Sequence, residues 1–307
     1  MRRETLNGKE SMTLTKLAAA SCVEQMKALR CRLRLRAHER LTEVFKAADH
    51  VPFDDDARII FFSDCHRGDN SRSDAFARNE GLFLQALGHY YRHGFTYVEV
   101  GDGDELWQNR RFGAVREAHG RTFDLLHRFN RERRLHLLLG NHDIQGNSRH
   151  RMEKDGIPVH ESLILQHTTS DQRIFVVHGH QADFKSDYLY RLARTATRHV
   201  WRHLQNLGLG DGPSKENEGH NRGKIRRQIS EWVAEHAQTV VCGHTHTPAF
   251  PREGEPPYFN TGSCVYDDYI TGLEIQNGKI ALIKWSQVGM QVERTLLTAP
   301  RSLRLVA

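Results

Sequence analysis

Five short clusters of carboxylate, imidazole and amide side chains punctuate this 307-residue chain. Asp64 and His66 form the first. Asp102, Asp104 and Glu105, behind Gly101, form the second. Asn141, His142 and Asp143, behind Gly140, form the third. His178 and His180 flank Gly179 in the fourth, and His244 and His246 follow Gly243 in the fifth. Carboxylate, imidazole and one amide oxygen, without thiolate, suit manganese, iron, zinc or a similar borderline-to-hard ion. The donors exceed what one ion needs, and a carboxylate can bridge two. Two ions roughly 3.5–4 Å apart form a clamp for in-line displacement at phosphorus.

Each cluster follows an apolar run that reads as a buried strand: 58–63, 95–100, 135–139, 174–177 and 239–242. These runs lack alternation, as expected of strands covered on both faces. Helical spacing over about 74–93 and 114–133 separates the first three, so β-α-β units and a parallel sheet are expected. Open α/β sheets bind their ligands at the carboxyl ends of strands. A lone H-x-H or D-x-H pair would be weak evidence. Five clusters at five successive strand ends are strong evidence, and the glycines beside them let backbone approach a bound group closely.

The remaining sequence frames this core. Ser162–Gln166 is a further strand, and strands near Tyr258, Ile270, Ile280 and Gln291 make the last third strand-rich, with a turn at Asn277-Gly278. Residues 1–56 read as a basic helical extension. Arg30, Arg32, Arg34, Arg36 and Arg40 are clustered there, and Leu29, Leu33, Val44 and Phe45 supply a weak apolar face. Between His178 and His244, Phe184, Tyr188, Leu192, Ala196, Val200 and Leu204 recur every four residues, beside a basic stripe of Arg191, Arg194, Arg198 and Arg202. This spacing predicts a helix, then a polar loop over 208–223 and a second helix over 224–236. Together they form a helical cap insertion over about 181–237. The expected domain spans 57–297, with a tail over 298–307.

Composition narrows the class. A hydrophobic fraction of 38% with 27% charged residues excludes a disordered chain. The formal charge of +6 favours an anionic partner: nucleic acid, a phosphorylated small molecule or an acidic membrane surface met peripherally. Five scattered cysteines without a C-x-x-C pair argue against a disulfide framework or a cysteine zinc knuckle, and point to a reducing cytoplasm. No apolar run approaches the roughly 18 residues that cross a bilayer.

In this order, D-x-H, G-D-x-x-(D/E), G-N-H-D, a strand-end histidine and G-H-x-H resemble the signature of calcineurin-like metallophosphoesterases, over about residues 57–265. The resemblance implies an α/β fold, a four-layer α/β-β/α sandwich with an inserted helical cap. It implies hydrolysis of phosphomonoester, phosphodiester or pyrophosphate bonds with two divalent ions, manganese first, then iron, zinc, magnesium or cobalt. Asp64, His66, Asp102 and His246 would hold one ion. Asp102, Asn141, His178 and His244 would hold the other, with Asp102 as the bridge. The paired ions would make hydroxide available near neutral pH for in-line attack. His142 would stand beside the substrate phosphate and stabilise or protonate the leaving oxygen. Glu105 stands where the family has a second Asp that orients this histidine. Asp104 competes for that role, as His180 competes with His178.

The inserted cap also resembles that of UDP-2,3-diacylglucosamine hydrolases, which implies a lipid-precursor substrate met by Arg191 and Arg194. His142 departs from that branch, which has Arg in its place. Arg67 is a candidate for contacting phosphate, and residues 107–111 for lining the cleft. A nuclease, or a nucleic-acid-binding protein using residues 1–50, is the alternative class.

Overall fold

The protein is described from a computed structural model that covers residues 31–109, 111–144, 152–183 and 215–305, with 24, 25 and 28. Strands β1 (Asp49–Phe53), β2 (Ile59–Phe62), β3 (Thr96–Glu99), β4 (Leu135–Leu138), β5 (Met152–Lys154), β6 (Ile157–His160) and β7 (Ser162–His167) come first. They are followed by β8 (Arg173–Val177), β9 (Thr239–Cys242), β10 (Tyr258–Asn260), β11 (Tyr269–Gln276), β12 (Lys279–Val288), β13 (Gln291–Leu296) and β14 (Arg301–Ser302). The helices are α1 (31–46), α2 (Glu80–Arg92), α3 (Phe112–Ala118), α4 (Gly120–Arg131) and α5 (Lys215–His236).

Alternate side chains of each central strand enter different cores, as the period of two requires. Ile60, Phe62 and Tyr97 face α2, α3 and α4 through Phe83, Leu87, Val115 and Phe123. Ile59, Phe61 and Val98 instead meet Leu163, Leu165, Ile174 and Val176 between two sheets. On the second sheet, Ile164, Phe175, Val177 and Val240 point outward to Leu41 and Val44 of α1 and to Ile229, Trp232 and Val233 of α5. The result is helix, sheet, sheet, helix: the expected four-layer sandwich. One sheet runs β13-β12-β11-β2-β3-β4-β6-β5, with β14 beside β12; the other runs β1-β7-β8-β9-β10. Strands β2, β3, β4 and β6 are mutually parallel, as are β8, β9 and β10. The carboxyl ends of β2, β3, β4, β8 and β9 therefore gather at one end of the sandwich.

The structure differs from sequence expectation in several places. The helix expected from residue 74 begins at Glu80. Asp74 instead accepts from the backbone amides of Asn70, Phe76 and Ala77 and holds a turn there, the competition expected of an Asp side chain. The helix expected over 114–133 breaks at His119, whose buried imidazole meets Asp74 Oδ2 at 2.8 Å and Glu80 Oε1 at 3.1 Å. Residues 49–53, inside the expected helical extension, form β1 and pair in parallel with β7. Its helix buries Ala37, Leu41 and Val44, while Arg34 pairs with Glu231 and Glu235 and Arg40 with Glu161. Within 298–307, Arg301 and Ser302 pair with β12.

Helix α5 starts at Lys215, inside the expected polar loop, and its apolar face lies in the sandwich. That part of the expected cap is a structural layer. The cap's remaining stripe, with Arg191, Arg194, Arg198 and Arg202, lies outside the described residues. Asn277 and Gly278 both have positive φ (53° and 65°) and close the β11–β12 hairpin as expected. No described helix is long and apolar enough to cross a membrane.

Candidate metal centre

All five clusters converge at the gathered strand ends. Backbone bonds lock the loops to one another: Asp64 N donates to Gly101 O (3.1 Å), His66 N to Asp102 O (2.9 Å) and Gly243 N to His178 O (3.0 Å). The approach is close enough to demand glycine. A Cβ on Gly140 would lie 2.1 Å from Asp102 N, and one on Gly243 would lie 2.3 Å from Ser63 Oγ. Asp64, His66, Asp102, His244 and His246 all take left-handed φ values, between 48° and 66°. Such backbone costs roughly 1–3 kcal/mol per residue and persists only where surroundings enforce it.

Three donor groups result among the described residues: Asp64 with His66 and His246, Asp102 with His178 and His244, and, at the rim, His66 with Glu105 and His142. In the first, His246 Nε2 lies 3.0 Å from Asp64 Oδ1 and 3.1 Å from His66 Nε2. Asp64 Oδ2 is engaged separately by Ser63 Oγ and by His244 N (2.9 Å), so Oδ1 faces the histidines. In the second, His178 Nε2 lies 3.1 Å from Asp102 Oδ2. That same Oδ2 is 3.8 Å from His66 Nε2, so Asp102 faces the first group as well. Its other oxygen accepts from His142 N at 2.8 Å.

The imidazole orientations are fixed from behind. His178 Nδ1 donates to Val100 O at 2.7 Å, and His66 Nδ1 donates to Glu105 Oε2 at 3.1 Å. Both rings thus turn an Nε2 lone pair inward. Among the described residues, buried Asn141 Oδ1 has no hydrogen-bond partner, and Asp64 Oδ1 and His178 Nε2, though 3.0 Å from His246 Nε2 and 3.1 Å from Asp102 Oδ2, make no well-aligned hydrogen bond. Lone pairs facing lone pairs in a buried space require a proton or a cation between them. Burial opposes charge on His66 and His178, but Glu105 and Asp102 beside His66, and Asp102 beside His178, raise both to about 9. Burial likewise opposes ionisation of Asp64 and Glu105, yet the neighbouring histidines hold each at about 2. The carboxylates that favour a proton on these rings would equally favour a cation, and the donor set fits two divalent ions.

His142 sits at the rim. Both oxygens of Glu105 lie within 2.9 Å of its Nδ1. Its ring stacks on Trp107 at 4.0 Å and meets the edge of His66 at 4.7 Å. Its side chain is 21% exposed. Glu105, rather than Asp104, is therefore the partner of His142: Asp104 turns to Arg67 Nε (2.7 Å) and Lys154 Nζ (2.9 Å). His178, rather than His180, joins the second donor group, and His180 is buried 5.5 Å away, ring to ring.

Arg67 requires correction as a phosphate contact. Its side chain is fully buried, and its guanidinium forks onto both oxygens of Glu99 at 2.7 Å while Nε meets Asp104. Three of its five N–H donors are thus engaged, and its complete burial keeps the guanidinium out of a cleft. Arg191 and Arg194 lie outside the described residues. No neighbouring residue marks Asp183, whose Oδ2 lies 3.7 Å from His244 Nε2. Ser63 also supports the centre, and its place beside Asp64 is the sequence signal for it.

A sequence profile for the calcineurin-like phosphoesterase superfamily domain matches residues 113–273. No curated protein sequence matches the chain. Among solved structures, it is similar to Vacuolar Protein Sorting 29 from Cryptosporidium parvum at 12% identity and a TM-score of 0.42, over 80% of this chain and 98% of that one. It is also similar to Vps29 from Entamoeba histolytica, solved in complex with Zn²⁺, at 14% identity and a TM-score of 0.38, over 78% and 98% of the two chains.

Proposed function

The chain belongs to the calcineurin-like phosphoesterase superfamily, and we propose that it hydrolyses phosphate esters or anhydrides of small phosphorylated molecules at a two-metal centre. One observation carries this reading: the Asp102 carboxylate belongs to one donor group and its Oδ2 lies 3.8 Å from His66 Nε2 of the other, with the buried donor atoms of both groups turned inward. Asp64, His66, Asp102 and His246 are assigned to one ion, and Asp102, Asn141, His178 and His244 to the other. Manganese suits these mixed oxygen and nitrogen donors. When bound, the ions would lower the pKa of water towards neutrality and neutralise phosphoryl oxygens.

The chain's own residues do the rest. Val100 O and Glu105 fix the rings of His178 and His66, so that each presents Nε2. Glu105 holds Nδ1 of His142, while Trp107 keeps that ring in plane. The Nε2 edge of His142 is then available to donate to a leaving oxygen. The four described cysteines Cys31, Cys65, Cys242 and Cys264 are free thiols, which supports a reducing, cytoplasmic setting.

The test separates metal ligands from the proton donor. Bound manganese and hydrolysis of an activated phosphodiester are measured in parallel for two variants. His244→Ala should lose both metal and rate. His142→Ala should keep its metal and lose roughly 10²–10⁴-fold in kcat. Full metal content and full rate in His244→Ala would reject the assignment.

A further inference from the structure

Beside the donor groups lies a charge cluster that the proposed reaction does not use. Lys154, at the end of edge strand β5, is only 7% exposed. Its ammonium lies 2.9 Å from Asp104 Oδ2 and 2.8 Å from Asp143 Oδ1. Asp104 sits between Asp102 and Glu105 in the second motif loop. Asp143 follows Asn141 and His142 in the third. One cation from a distant strand thus ties together the two loops that supply the bridging carboxylate, the amide ligand and both halves of the Glu105–His142 pair.

The surroundings make this link rigid. Asp143 also accepts from Asp104 N on Oδ1 and from Gly140 N on Oδ2, each at 2.9 Å. Asp104 is gripped from its other side by Arg67, itself forked onto Glu99. The hairpin carrying Lys154 is pinned through the next residue, because Asp155 meets Arg116 Nε at 2.6 Å and His127 Nε2 at 2.8 Å. Three buried carboxylates, Glu99, Asp104 and Asp143, meet two buried cations, so Lys154 contributes charge as well as a link. Arg67 already serves Glu99 and Asp104, and of the two cations Lys154 is the one whose ammonium meets a carboxylate from each loop.

We infer that Lys154 is a positioning residue: its ammonium sets the separation of loop 101–105 from loop 140–143, and through it the placement of Asp102 and Glu105 against Asn141 and His142. The inference rests on the two-metal reading of the site. It predicts local consequences in a folded protein, because misplacement of catalytic groups by about 1 Å can cost on the order of 10²-fold in rate.

The experiment compares wild type, Lys154→Met and Lys154→Arg as full chains. Amide hydrogen exchange is followed by mass spectrometry, with manganese-dependent hydrolysis of bis-p-nitrophenyl phosphate alongside. In Lys154→Met, exchange should rise in 101–105 and 140–143 while β11 and β12 stay protected. In the same variant, kcat should fall roughly 10–100-fold with KM within about threefold, and Lys154→Arg should recover part of both. Exchange unchanged in the two loops, or raised equally throughout the chain, with wild-type kcat, would overturn the inference. Should Lys154→Met not fold, the charge-balanced pair Lys154→Met with Asp143→Asn carries the same test, and wild-type kcat there overturns it. A wild type without manganese-dependent activity would instead reject the two-metal reading, and loop exchange would still decide whether Lys154 positions the loops.

Discussion

The two ends of the sandwich use the same backbone conformation for different purposes. At the far end, Arg133, Ala237 and Asn277 take left-handed φ where a helix or strand turns back, and all three are exposed. Local geometry explains them: Asn277 precedes Gly278 in a two-residue hairpin, and Ala237 follows the last turn of α5. At the metal-centre end, Asp64 and Asp102 hold the same conformation while buried at 0% and 2% exposure. No turn economy calls for a buried aspartate there. The comparison teaches that the far end adopts this backbone to save chain, whereas the centre adopts it to aim donors, with tertiary contacts enforcing the strain.

Paired glycine substitutions test the contrast most severely. Gly140→Ala places a Cβ against Asp102 N and Oδ1, so metal affinity should drop and kcat should fall on the order of 10²-fold or more. Gly278→Ala meets only Asp55 Oδ1 at 3.2 Å; it should cost about 1–2 kcal/mol in a denaturant melt through its left-handed φ and leave activity intact. Equal activity losses in the two would break the comparison.

The pH dependence of the centre comes next. His66 and His178 stand at about 9, above the 6.5 of a free imidazole, and each must lose its proton to bind metal. Manganese affinity, followed by calorimetry, should rise with pH up to about 9 at roughly tenfold per unit for each proton displaced, then level off. The sign for folding is opposite. In metal-free protein, the stability from these raised values is complete below 6.5 and is lost as pH rises through about 9. Affinity that falls with pH over that range would contradict the arrangement.

The smallest effect belongs to the far end. Gln238 N donates to Val233 O at 3.2 Å around the left-handed Ala237, closing α5 as glycine usually does. Ala237→Gly should therefore stabilise the protein by about 0.5–1 kcal/mol in thermal melts, without a change in hydrolysis. Destabilisation would show that this turn is also held by tertiary contacts.

What could be read from the sequence was local. The runs ending at Phe62, Leu138, Val177 and Cys242 each precede their donor by one or a few residues, so strand, turn and ligand share one window. The four layers followed from recognising the cluster order. The burial of Arg67 is not legible locally, because Glu99 and Asp104, from another strand and loop, claim its guanidinium. The break at His119 depends on Asp74 and Glu80, about forty residues earlier. Lys154 was invisible for the same reason: nothing near it in sequence marks a cation that joins Asp104 to Asp143. The choice of Glu105 over Asp104 likewise needed three-dimensional geometry, since the two are neighbours in one loop.

The central claim is that Asp102 joins two metal-binding groups into one hydrolytic centre. Its most direct test is hydrolysis of bis-p-nitrophenyl phosphate by metal-stripped protein, with Mn²⁺ added back, for wild type and Asp102→Asn. The account predicts activity that returns with Mn²⁺ in wild type and stays roughly 10²-fold or more lower in the variant. Activity in metal-free wild type, or an Asp102→Asn variant as active as wild type, would contradict it.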